Sequence, residues 1–124
     1  MSSSIKESVA ALRCVFAGTA CSVTDEAGLS AIVRMRLQAA AVEFDSEVCL
    51  DGDRRNRIDF VVGRVGLELK IDGSPSSVLR QLDRYAAADE LDAVVLITTR
   101  RSHLRGLPDE LRGKAIAAFH VGAF

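Results

Sequence analysis

Asp59, Glu68 and Lys70 lie within the stretch Arg57 to Ile71, RIDFVVGRVGLELKI, and their types and spacing could do chemistry together. Two carboxylates offer hard oxygen ligands of the kind Mg2+ or Mn2+ takes, beside water and substrate phosphate oxygens. An ion so held lowers the pKa of a bound water and stabilises charge on a phosphodiester in the transition state. A lysine two residues from such a ligand could orient that water or offset the developing charge. Period-2 alternation of charge is also what any half-buried strand shows, so a solvated polar face is the competing reading.

For the three to meet, the stretch must fold back on itself. Ile58–Val62 and Gly66–Ile71 read as strands joined across Gly63 and Arg64, a short glycine-containing gap that suits a tight hairpin. Side chains alternate along a strand, so Glu68 and Lys70 share one face, while Leu67, Leu69 and Ile71 take the other. Asp59 reaches the Glu68 side if the register allows. Next, Ser74-Pro75 reads as a helix cap with proline at the first helical position, and VLRQLDRYAAADE continues at helical spacing. Gln81 and Tyr85 are four apart and share a face of that helix.

The ordered set of Asp59, hairpin, Glu68-Leu69-Lys70 and a helix carrying Gln81-Leu82-Asp83-Arg84-Tyr85 resembles the PD-(D/E)XK nuclease superfamily, and within it the RecB-type branch with its Q-x-x-x-Y motif. The resemblance runs from about Thr24 to Thr99. Two departures are Ile58, where the family name has proline, and a short Asp-to-Glu interval. The resemblance implies a restriction-endonuclease-like α/β fold, a mixed sheet flanked by helices with an α-β-β-β-α-β core, here with an extra N-terminal helix. It also implies a DNA phosphodiesterase using Mg2+ or Mn2+. Asp59 and Glu68 would bind the ion, with the Leu69 carbonyl as a further ligand, and Lys70 would position or activate the attacking water. Gln81 and Tyr85 would orient Lys70, the water or the DNA backbone. In that superfamily a glutamate near the start of the first core helix joins the metal site; Glu26 matches that position, and Glu47 competes with it.

The remaining chain supplies a frame. Its 124 residues read as one domain, 1–124, with 48% apolar and 27% charged residues. No apolar run approaches the ~20 residues that span a bilayer, and MSSSIKES lacks the apolar core of a secretory signal. Cys14, Cys21 and Cys49 have no C-x-x-C spacing and read as reduced structural thiols. A cytoplasmic protein without a membrane partner is therefore expected.

Residues 4–17 read as a first helix, with Ser4-x-x-Glu7 as a capping box and Ile5, Val9, Leu12 and Phe16 as its apolar stripe. Thr24 reads as the cap of a second helix, with Leu29, Ile32, Val33 and Leu37 buried and Arg34 and Arg36 towards solvent. Residues 42–50 alternate as a strand, with Val42, Phe44, Ser46, Val48 and Leu50 on one face. Residues 91–99 form a continuous apolar run that suits a central strand in parallel pairing. His103 falls in a loop, residues 107–111 in a short helical turn, and residues 115–121 in a last strand.

A net charge of −1 is not that of a strongly basic nucleic-acid binder. Arginine is nevertheless clustered. Arg54, Arg55, Arg57 and Arg64 flank the hairpin, and Arg100, Arg101 and Arg105 follow the central strand; each group could hold phosphates or merely coat a loop. No nucleotide-binding glycine loop or Ser-His-Asp context supports other chemistry. Three readings follow: a metal-dependent deoxyribonuclease, a catalytically silent nucleic-acid-binding or assembly module on the same fold, and a nuclease with RNA as substrate. The small size suits a homodimer or a place in a larger nuclease complex.

Overall fold

A computed structural model of the chain describes residues 2–19 and 22–122. Two helices come first, α1 (Ser2–Phe16) and α2 (Glu26–Ala39). An antiparallel trio follows: β1 (Asp45–Cys49), β2 (Arg57–Val62) and β3 (Val65–Lys70). Helix α3 (Pro75–Ala86) crosses over to β4 (Ala93–Thr98), and the chain closes with β5 (Glu110–Leu111) and β6 (Lys114–His120). The strands form one mixed sheet in the order β1-β2-β3-β4-β6-β5, with β3, β4 and β6 parallel to one another. The α/β class expected from the sequence is observed. Among the described residues no helix is long and apolar enough to cross a membrane.

Every residue of β4 is buried. Ala93, Val95 and Ile97 pack with α1 and α2, whereas Val94 and Leu96 pack with α3. A parallel strand covered on both faces needs apolar side chains at every position, which explains the unbroken run in the sequence. Strand β3 alternates as expected: Val65, Leu67 and Leu69 enter the α1/α2 layer. By alternation, Gly66, Glu68 and Lys70 turn to the α3 layer.

Several local expectations are corrected. Helix α1 begins at Ser2, so Ser4 lies inside it, and its carbonyl accepts from the Ser8 hydroxyl at 3.1 Å rather than serving a capping box. Asp25, not Thr24, caps α2, its carboxylate accepting the Gly28 amide at 2.8 Å. Arg36 is not spent on solvent: it donates to the carbonyls of Val15 and Ala17, each at 3.1 Å, at the end of α1, where carbonyls lack helical partners. The Arg34 guanidinium stands 5.4 Å from the ring centres of both Phe44 and Phe60. Residues 107–111 are not a helical turn; Glu110 and Leu111 pair with β6, and the helical turn lies earlier, at Arg101–Leu104. Cys14 is exposed and Cys49 half-buried, both as free thiols; Cys21 lies outside the described residues.

The β1–β2 ribbon departs most from simple alternation. Phe60 packs in the α1/α2 layer and Ile58 in the α3 layer, although they are two residues apart and would share a face in a regular strand. Phe44 and Val48 divide between the layers in the same way, so the single apolar face expected over 42–50 is not formed. Between the paired positions Ser46↔Phe60 and Val48↔Ile58 stands Glu47, whose φ is 54°. That left-handed conformation costs a non-glycine residue about 1–2 kcal/mol. The ribbon swivels there, carrying Ile58 over Gly66, where a Cβ would come within 2.6 Å of Ile58 Cδ1.

Candidate active site at a fork in the sheet

The swivel opens a fork between β2 and β3. Their ladder runs Val62↔Val65, Val61↔Gly66, Phe60↔Leu67 and then stops. Continued in register, it would set Leu69 against Ile58. The Leu69 amide instead donates to Asp59 Oδ2 at 2.8 Å, so a carboxylate replaces the missing ladder carbonyl. Strand β1 stays paired with β2 down to Cys49↔Arg57, so the two leave β3 as a unit. In a strand, one residue's N–H and C=O point to the same side, so the Leu69 carbonyl also opens into the fork.

Helix α3 braces the departing ribbon. Tyr85 is 2% exposed, and its hydroxyl donates to the Arg57 carbonyl at 3.0 Å while accepting from Gln81 Nε2 at 2.8 Å. The i, i+4 spacing brings the glutamine and tyrosine side chains together. Ser74 caps α3 by accepting the Ser77 amide, with Pro75 at the first helical position, as the sequence predicted.

Glu68 is the buried acid of the cluster. Its side chain is 5% exposed, and Oε1 is shut away from solvent without a hydrogen-bond partner. Burial drives its pKa up to about 8, and Asp59 adds to the rise; Lys70 and Tyr85 pull the other way. Lys70 Nζ stands 3.5 Å from Glu68 Oε2, too far for a strong hydrogen bond, so the ammonium offsets only part of the cost of burial. Burial and the neighbouring Glu68 likewise hold the Tyr85 phenol well above its ordinary pKa. Lys70 is more open than Glu68, with 22% of its side chain exposed.

A metal ion fits the donor set. An orphaned buried carboxylate oxygen, a second carboxylate with one oxygen engaged and a nearby carbonyl are hard ligands of the kind Mg2+ accepts with water. Glu26 stays exposed in the first turn of α2, and among the described residues no group of three or more acidic, histidine or cysteine side chains is assembled. Glu47 is also exposed, 4.0 Å from Arg57 Nε. Neither glutamate therefore completes an acidic trio with Asp59 and Glu68.

The arginines divide. Arg54, Arg55 and Arg57 are exposed around the start of β2. Arg64 sits at the opposite end of β3 from Lys70, where it grips both carboxylate oxygens of Asp92 at 2.6 and 3.1 Å. It is thereby separated from the other three. His103, expected in a surface loop, is 1% exposed. Its Nε2–H donates to the Gly73 carbonyl at 2.8 Å, and its Nδ1 meets the Thr98 hydroxyl at 2.7 Å. Nothing in the local sequence marks that role, because the Gly73 partner lies thirty residues away, before α3. Two surface depressions, one at the β2–β3 turn and one beside β5 and β6, are lined by none of Asp59, Glu68 and Lys70. Comparison of the chain with protein-family models, curated proteins and solved structures finds no match.

Proposed function

We propose that the chain is a metal-dependent nuclease of restriction-endonuclease-like fold that hydrolyses DNA phosphodiester bonds. One observation carries this reading: beside the fork that Asp59 bridges, Glu68 is buried with Oε1 partnerless and Oε2 3.5 Å from Lys70 Nζ. A scaffold has no reason to bury a carboxylate oxygen without a partner, because that costs roughly 1–3 kcal/mol or more. Asp59, Glu68 and the Leu69 carbonyl would hold Mg2+ or Mn2+, which supplies Lewis-acid activation of water and of the scissile phosphate. Lys70, at the open edge, orients the attacking water and offsets charge on the phosphate. Gln81 and Tyr85 act behind these groups by holding the β2 ribbon.

A second reading, a silent binding or assembly module on the same scaffold, draws on the absence of a third acidic group among the described residues. Cleavage assays on linear, circular, single-stranded and branched DNA, and on RNA, with Mg2+, Mn2+ or EDTA separate the two. Metal-dependent cutting is expected, and Lys70→Ala should lose it by about 10²-fold or more while retaining a native circular-dichroism spectrum. Cutting unchanged in Lys70→Ala would remove the lysine from the mechanism. Absence of both cutting and Mn2+ binding would favour the silent module.

A further inference from the structure

The segment between Thr98 and Pro108 carries Arg100, Arg101 and Arg105 and no carboxylate. It leaves the sheet beside the candidate site: Thr98 is the register partner of Lys70, and the Thr99 amide donates to the Lys70 carbonyl at 3.3 Å. The segment is also built rather than draped. His103 is its peg, buried and bound through both ring nitrogens to Gly73 on one side and Thr98 on the other. The Thr98 hydroxyl in turn accepts the Arg100 amide at 3.0 Å. A peg pointing inwards leaves its neighbours pointing out, and Arg101 and Arg105 are exposed.

Three other arginines near the strand ends differ, whereas Arg54 and Arg55 before β2 are exposed and likewise without an ion pair among the described residues. Arg64 and Arg112 are each clamped by two carboxylate oxygens, of Asp92 and Asp83. Arg100 meets Asp72 at 2.8 Å. Among the described residues Arg101 and Arg105 have no ion-pair partner, so their charge is available to a ligand. Guanidinium groups suit phosphate oxygens in geometry as well as charge. A chain whose net charge is −1 is left with a local positive ledge beginning at the strand end that carries Lys70.

We infer that Arg101 and Arg105, displayed by the His103 peg, form a tract that binds the phosphodiester backbone of a nucleic-acid strand running across the end of β4 from the Asp59–Glu68–Lys70 fork. This rests on the nuclease reading for what happens at the fork, but the tract binds without cleavage. The test is fluorescence anisotropy with labelled single-stranded DNA, duplex DNA and RNA of one sequence, in EDTA, across a salt series. Each phosphate contact contributes roughly 0.7–0.9 to the slope of log K against log salt. The double variant Arg101→Gln/Arg105→Gln should therefore lower that slope by about 1.4–1.8 on the preferred strand type. Arg64→Gln should leave it unchanged. Equal slopes for the double variant and the wild type would overturn the tract, as would wild-type protein that binds none of the three probes at low salt. A lowered slope in a protein that never cleaves would sustain the tract and sink the nuclease reading.

Discussion

At the scale of single residues, the decisive group is Glu68. Its carboxyl keeps a proton at neutral pH because burial penalises the anion, with Asp59 adding to the penalty. The folded pKa of about 8 exceeds the ordinary 4.5, so between these values the folded state holds a proton that the unfolded chain releases. Stability should then fall as pH rises through that window, by up to about 1.4 kcal/mol per unit, and level off above it. Urea denaturation from pH 5 to 9 measures this directly, and Glu68→Gln should flatten the profile. An identical profile in wild type and variant would show that Glu68 is not buried as a neutral acid. Metal binding needs the anion, so Mn2+ affinity measured by calorimetry should climb with pH towards 8 and then plateau.

At the scale of elements, the fork exists because three local features agree. Glu47 turns the ribbon with a left-handed backbone, Asp59 takes over a ladder bond, and Tyr85 ties the start of β2 to α3. Removing the tie tests the arrangement. Tyr85→Phe would leave the Arg57 carbonyl without its hydroxyl donor and the Gln81 amide without its acceptor, at a cost of about 1–3 kcal/mol. Because Asp59 lies two residues beyond Arg57, Mn2+ affinity should fall as well. A variant as stable as wild type, with undiminished Mn2+ affinity, would mean that the ribbon needs no brace.

At the scale of the whole molecule, the sheet is a doubly covered slab, and its three parallel strands end together at Lys70, Thr98 and His120. His103 joins two of the loops that leave this end, the one before α3 and the one after β4. His103→Leu would keep the bulk and lose both bonds, leaving the Gly73 carbonyl and the Thr98 hydroxyl short of partners. A loss of about 1–3 kcal/mol is expected, with faster amide exchange in the first turn of α3. If exchange there stays at the wild-type rate, the two loops are held by packing alone.

Periodicity and capping chemistry are local, and they were legible. The hairpin at Gly63-Arg64, the α3 start at Ser74-Pro75, the two-faced burial of β4 and the common face of Glu68 and Lys70 all follow from neighbouring residues. The pairing of Gln81 with Tyr85 follows from helical spacing in the same way. Alternation alone could not reveal that Ile58 and Phe60 would enter different layers, because the partners lie on other segments: Ile58 joins the cluster of Leu82 and Leu91, and Phe60 that of Leu29 and Leu37. Nor could it assign the arginines. Arg36 and Arg64 read as free surface charge until the fold brought Val15 and Ala17 to one and Asp92 to the other. His103 read as a loop residue until Gly73 and Thr98 closed around it. Local sequence determined which side chains share a face; only long-range packing decided which of their polar atoms found partners and which, like Glu68 Oε1, were buried without one.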